Sequence, residues 1–208
     1  MECTICQTFF LPTIRTLRGN PMVEYYLDLE TYSPKEKPDP TQDKIITVQY
    51  QRLSRDGKPL EPLRILTEWD LGSEKAMLEA FGKVFLTENP FDFIPIGINL
   101  YGFDLLALIS GLNRHFEPKI GFDLLRTRPV LDLKSVMVLA CDGRFAGWTE
   151  ILGKQENNPV KGWYEAGLSG HPLIIDYVIR EAQKFIRVYQ YLKWKTLPFR
   201  EELLKVVA

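Results

Sequence analysis

The first third of the chain is patterned in steps of two. In VEYYLDLETY, residues 23–32, Tyr25, Leu27 and Leu29 alternate with Tyr26, Asp28 and Glu30, the repeat of a strand that turns successive side chains to opposite faces. KIITVQYQRL at 44–53 sets Ile46, Val48 and Tyr50 against Thr47, Gln49 and Gln51, which predicts a half-buried strand. Between them SPKEKPDPTQD, 33–43, is a Pro-rich polar loop. RDGK at 55–58 supplies a hairpin turn, and LRILTEW at 63–69 returns as a third strand. These segments predict a three-stranded antiparallel meander whose first strand, about 21–31, carries two acids.

From residue 73 the repeat lengthens to that of a helix. Ser73 caps a helix of about 14 residues, with Glu74 in its first turn and Met77, Leu78, Phe81, Val84 and Phe85 on its apolar side. FIPIGI, about 93–98, is a short buried strand that feeds a helix over 103–116, and VLDLK at 130–134 is a further strand. The stretch 141–170 is rich in Gly and Trp, follows no clear period, and is where an insertion or lid would fall. A long helix over about 172–195 closes the pattern, opened by Pro172, whose missing N–H costs nothing there. Strands first, then strands alternating with helices, predict an α/β fold: a mixed five-stranded sheet, meander plus parallel strands, flanked by helices. With no repeat and no linker, the chain divides into a leader at 1–20, poorly ordered or peripheral, and a single domain at 21–208.

Composition narrows this only a little. At 208 residues, 45% hydrophobic and 25% charged, the chain can build a core without disulfides. No apolar run reaches the roughly 18 residues that cross a bilayer, and the first 20 residues lack a signal-peptide layout, which predicts a soluble cytoplasmic protein without a membrane role. A net charge of −1 leaves nucleic acid open as a partner. Cys3 and Cys6 have the spacing of half a zinc site, but no second pair follows and His115 and His171 are the only imidazoles. Reduced thiols in the leader are the simpler reading.

The two acids of the first strand are the feature that needs a cause. Asp28 and Glu30 project to one side, where an ionised group is costly to dehydrate and two like charges repel. A cation between them resolves both problems. Further along, GINLYGFDLLAL places Asp104 just after a strand that ends at Asn99, and the carboxyl ends of strands are where open α/β sheets carry their chemistry. Alone, Asp104 reads as a helix-start acid favoured by the dipole. Beside the other two it reads as a third oxygen donor.

DLET on the first strand, GINLYGFD after the fourth and YVIREA on the last helix resemble the three motifs of the DEDD superfamily of 3′-to-5′ exonucleases. The similarity is to the form with a Tyr four residues before the last acid, found in polymerase proofreading domains and related nucleases, and it runs from about residue 21 to 195. It implies a ribonuclease H-like fold and hydrolysis of DNA or RNA from a single-stranded 3′ end. It also implies two ions, Mg²⁺ or Mn²⁺, held by Asp28, Glu30, Asp104 and Glu181, with Asp28 bridging and Tyr177 orienting the attacking water. The chemistry asks for the same residue types: two hard cations about 4 Å apart activate water and neutralise the leaving oxygen, and such ions prefer carboxylates. Relatives often work beside a polymerase or helicase, which implies a role in repair or nucleic-acid turnover. Asn99 and Lys184 are candidate substrate contacts, although an Asn closing a strand is also a turn residue and basic residues also line solvated helix faces.

The third motif departs from the pattern, because Glu181 stands where the family has Asp. A rival pair, His171 and Asp176, has the spacing of the superfamily's other branch. At 100° per residue, Ile174, Phe185, Tyr189 and Leu192 fall within about 40° of Val178 and mark the buried face. Glu181 lies roughly 60° from Val178 and Asp176 about 160° away, so Glu181 is the residue that can turn inward. Asp132 in VLDLK reads as a capping acid, and Trp148 and Trp163 as loop aromatics that pack on the core. An added methylene at the last acid leaves a second function open: a nucleic-acid-binding module that keeps the exonuclease fold and cuts weakly or not at all.

Overall fold

In the computed structural model, residues 22–35, 37–121, 123–144, 151–152 and 158–206 are described. The leader expected at 1–20, with Cys3 and Cys6, and Trp148 lie outside the described residues. The elements run β1 Glu24–Tyr32, β2 Lys44–Leu53, β3 Arg64–Thr67, α1 Glu68–Leu71, α2 Glu74–Phe85, β4 Ile94–Gly97, α3 Asp104–His115, α4 Asp123–Thr127, β5 Leu131–Asp132, α5 Lys134–Ala140, α6 Val160–Glu165 and α7 His171–Val206. Five strands form one sheet in the order β3-β2-β1-β4-β5. β1 is antiparallel to β2 and parallel to β4, and β5 continues parallel beside β4. The mixed sheet flanked by helices is therefore the architecture of the chain, with the strand order of a ribonuclease H-like fold, and the acidic strand lies at its centre.

Helices cover both faces. Leu27, Leu29, Ile45 and Val48 pack with Met77, Leu78 and Phe81 of α2 and Leu105, Leu108 and Leu112 of α3. On the opposite face Tyr26 and Ile96 meet Phe185, Ile186 and Tyr189 of α7. Ser73 caps α2 as its sequence asks, its hydroxyl accepting from the Ala76 N–H at 3.1 Å. No helix among the described residues is long and apolar enough to cross a membrane.

Three expectations change. β2 is buried on both faces: Thr47 and Gln49 are 0% exposed, because the strand lies between β3 and β1 with helices above and below. Its pairing with β1 also shifts register between Glu30 and Thr31, stepping from Thr47 to Ile45. The skipped Ile46 packs with Val160, Ile174 and Val178, on the opposite side from Val48, as a bulge permits. The third strand ends at Thr67 rather than at Trp69, since the Thr67 hydroxyl accepts from the Asp70 N–H at 3.1 Å and starts the short helix α1. Finally, α7 begins at His171 and runs to Val206, past the expected end near 195 and through Pro198. A proline forfeits one helical hydrogen bond but does not oblige the helix to stop.

Candidate metal centre

The site begins where β1 and β4 part. The two strands pair only from Glu24–Tyr26 against Ile94–Ile96, so the rest of β1 keeps β2 on one side and leaves β4 on the other. Gly97 sits at that fork; a Cβ there would lie 2.7 Å from the Leu27 carbonyl oxygen, closer than any side chain allows. The Leu29 N–H instead donates to Asp104 Oδ1 at 3.0 Å in a buried hydrogen bond. Asp104, 4% exposed, is thus turned from the first turn of α3 toward β1.

Asp28 and Glu30 project from β1 on the face that α7 covers, and Glu181 reaches them from α7. One oxygen from each of the three carboxylates lies within 4.8 Å of the other two. Glu30 and Glu181 are buried and Asp28 is half-buried. The group opens into a cavity of about 410 Å³ whose wall also includes Asp104, Asn99 and Phe103. Of the residues singled out from sequence, Asp28, Glu30, Asp104, Asn99 and Glu181 all border this cavity.

Tyr177 reaches the group through Glu181, donating its hydroxyl proton to Oε1 at 2.8 Å. Burial, then the charges of Glu30 and Glu181, push its phenol far above the usual range, so it stays protonated. Tyr26 behaves alike: burial first, then Asp28, raises its phenol, and its O–H donates to Asp28 Oδ2 at 3.2 Å. Lys184 lies exposed on α7 and does not border the cavity. Asp176 is exposed, and His171 stacks on Trp69 with ring centroids 4.1 Å apart; neither lines the cavity. Asn99 adopts φ 64°, a left-handed conformation that Asn tolerates. Its side-chain oxygen accepts from Lys134 Nζ at 2.6 Å, and its N–H donates to Asp132 Oδ1 at 2.8 Å. Asp132 also accepts from the Tyr101 and Lys134 amides, which makes it the clasp of this loop.

The sequence did not disclose two hydrogen bonds to the acids or two lysines beside them. Gln49 Nε2 donates to Asp28 Oδ2 at 3.1 Å, Asn158 Nδ2 donates to Glu30 Oε2 at 3.3 Å, and Lys35 and Lys161 add positive charge to the cavity wall. Gln49 was discoverable only with the strand register in hand, since it stands directly opposite Asp28. Asn158 and Lys161 belong to the stretch where the sequence shows no period.

No family model matches the chain, and no curated protein matches it. Among solved structures, it is similar to exonuclease I in complex with an inhibitor, at 14% identity and a TM-score of 0.47, over 61% of this chain and 31% of that one. A structure of E. coli exonuclease I with a dA13 oligonucleotide gives 14% identity and 0.45 over 59% and 30% of the two chains. The zinc-bound form of the E. coli exonuclease I complex with single-stranded DNA gives 14% and 0.47 over 60% and 30%. The chain spans less than a third of the length of these nucleases. A likeness so distant leaves the chemistry of the site to its own residues.

Proposed function

We propose that this chain is a metal-dependent 3′-to-5′ exonuclease acting on the single-stranded end of DNA or RNA. One observation carries the reading: Asp28, Glu30 and Glu181, far apart in sequence, bring carboxylate oxygens within 4.8 Å of one another at the edge of an open cavity. The donor set is all oxygen, with no imidazole or thiol among the described residues that line the cavity, which suits Mg²⁺ or Mn²⁺ and not a softer ion. Asp28, Glu30 and Glu181 would hold one ion, and Asp104 with Asp28 a second. Bound there, such ions lower the pKa of water and offset charge on the phosphoryl oxygens.

The protein's own groups then have defined tasks. Asp28 and Glu30 are presented from a central strand that is paired on both sides at its start and with β2 at the acids themselves, so their positions are set by the sheet. Tyr177 keeps its proton and directs it at Glu181, so toward water its oxygen acts only as an acceptor. It therefore orients a nucleophile and does not deprotonate it. Asn99, in the wall of the cavity, and Lys184, on α7, are the proposed contacts to the nucleic-acid strand, with phosphate charge met by lysine.

A second reading has its own observation. The Tyr177 proton is committed to a glutamate that is one methylene longer than the family's aspartate, which favours a module that binds the strand and cuts it slowly. A 5′-labelled single strand incubated with Mn²⁺ or Mg²⁺ separates the two. Shortening from the 3′ end, abolished in Asp28→Ala, supports the exonuclease; retention of the strand without cleavage supports the binding module. Neither binding nor cleavage would remove both.

A further inference from the structure

Resting on the metal reading above, we infer that Gln49, fixed by Thr47, is a positioning residue that aims the Asp28 carboxylate at the ion. Both side chains belong to β2, both are 0% exposed, and both stand opposite the acids: Gln49 is the cross-strand partner of Asp28 and Thr47 that of Glu30. Their neighbours Ile46 and Val48 are equally buried. For packing alone, an aliphatic chain would serve this strand better than an amide, which is costly to bury without a partner.

The hydrogen bonds run in a determined direction. An ionised Asp28 can only accept, so the NH₂ end of Gln49 must face it, and Nε2 lies 3.1 Å from Oδ2. The carbonyl end then faces Thr47, whose hydroxyl donates to Oε1 at 3.0 Å. Reversing the amide would set an oxygen against the carboxylate and is ruled out on charge. From its own strand, the Tyr26 O–H donates to the same Oδ2 at 3.2 Å. Donors from two strands therefore grip one oxygen of Asp28, which fixes the plane of the carboxylate while Glu30 and Glu181 close in from the side. Groups that hold a ligand in its binding orientation reduce the ordering that must accompany capture of the ion.

A merely structural amide and a positioning amide differ in what their loss changes. The measurement is the affinity of the whole chain for Mn²⁺ alone, read by electron paramagnetic resonance of the free ion, beside circular dichroism and melting in EDTA. Gln49→Met keeps the volume and removes both ends of the amide; it should retain the fold and bind Mn²⁺ about tenfold or more weakly. Thr47→Val should lose part of that affinity, and Thr47→Ser, which keeps the hydroxyl, should restore it. Affinity in Gln49→Met within about twofold of wild type, even with a lower melting temperature, overturns the inference. If Gln49→Met does not fold, equal affinities in Thr47→Val and Thr47→Ser overturn it instead. A folded wild type that takes up no Mn²⁺ at millimolar concentration is a different outcome: the metal reading itself fails, and the inference with it.

Discussion

Three carboxylates within 4.8 Å of one another store repulsion in the absence of an ion, and Glu30→Gln should release it. At an effective dielectric near 20, two unit charges 4.8 Å apart repel by about 3.5 kcal/mol, and in bulk water by about 0.9 kcal/mol. Glu30 takes part in two such pairs, with Asp28 and with Glu181, so its charge costs the metal-free protein between about 2 and 7 kcal/mol. The cavity opens to solvent, which favours the lower end. Gln keeps the shape of Glu and can still accept from Asn158, so the charge is the main thing removed. For a chain of 208 residues, about 2 kcal/mol raises the melting temperature by about 4–8 °C. In Mn²⁺ the gap should narrow, because wild type gains about 2.7 kcal/mol at a hundredfold excess over its dissociation constant and the variant, short of one anionic ligand, gains less. Thermal unfolding in EDTA and then in millimolar Mn²⁺ reads both halves. A Glu30→Gln protein that melts below wild type in EDTA, or that responds to Mn²⁺ as strongly, would refute the reasoning.

Two further outcomes test separate parts of the fold. Tyr177→Phe should lower turnover about a hundredfold by letting the nucleophile wander, with Mn²⁺ affinity little changed; because the phenol is held protonated well above its ordinary range, its removal should leave the pH profile the same shape. Glu74 is buried, which by itself would raise its carboxyl, but hydrogen bonds from His115, the Ile45 N–H and Arg114 outweigh that and hold it below 4.5. Since the folded value is the lower one, its contribution is present above about pH 4.5 and is lost as pH falls through the folded value. Glu74→Gln should therefore melt below wild type at neutral pH and converge on it in acid; a gap that stays constant from pH 7 to pH 3 would contradict this.

What could be read from sequence is what carries a large local penalty. Asp28 and Glu30 stand out because ionised groups are expensive in a strand, and the helical repeat separates Glu181 from Asp176 because Ile174, Val178, Phe185 and Tyr189 are forced inward together. The alternation of β2 misled for a physical reason. Polar residues at every second position predict a wet face, yet this face is dry, and its Gln49 amide donates to Asp28 of the neighbouring strand. Nothing local distinguishes the two cases. Only the register does so, and the register depends on a loop of open length and on the bulge at Ile46. Gln49 and Asn158 were invisible on the same ground, because each is defined by the distant residue it touches. The proposed ligand set is thus written in residues costly enough to be noticed singly, whereas the groups proposed to aim it are ordinary side chains whose contacts exist only after the sheet has paired. If that division holds, substitutions at Gln49 and Thr47 will change ion affinity while leaving every sequence motif intact.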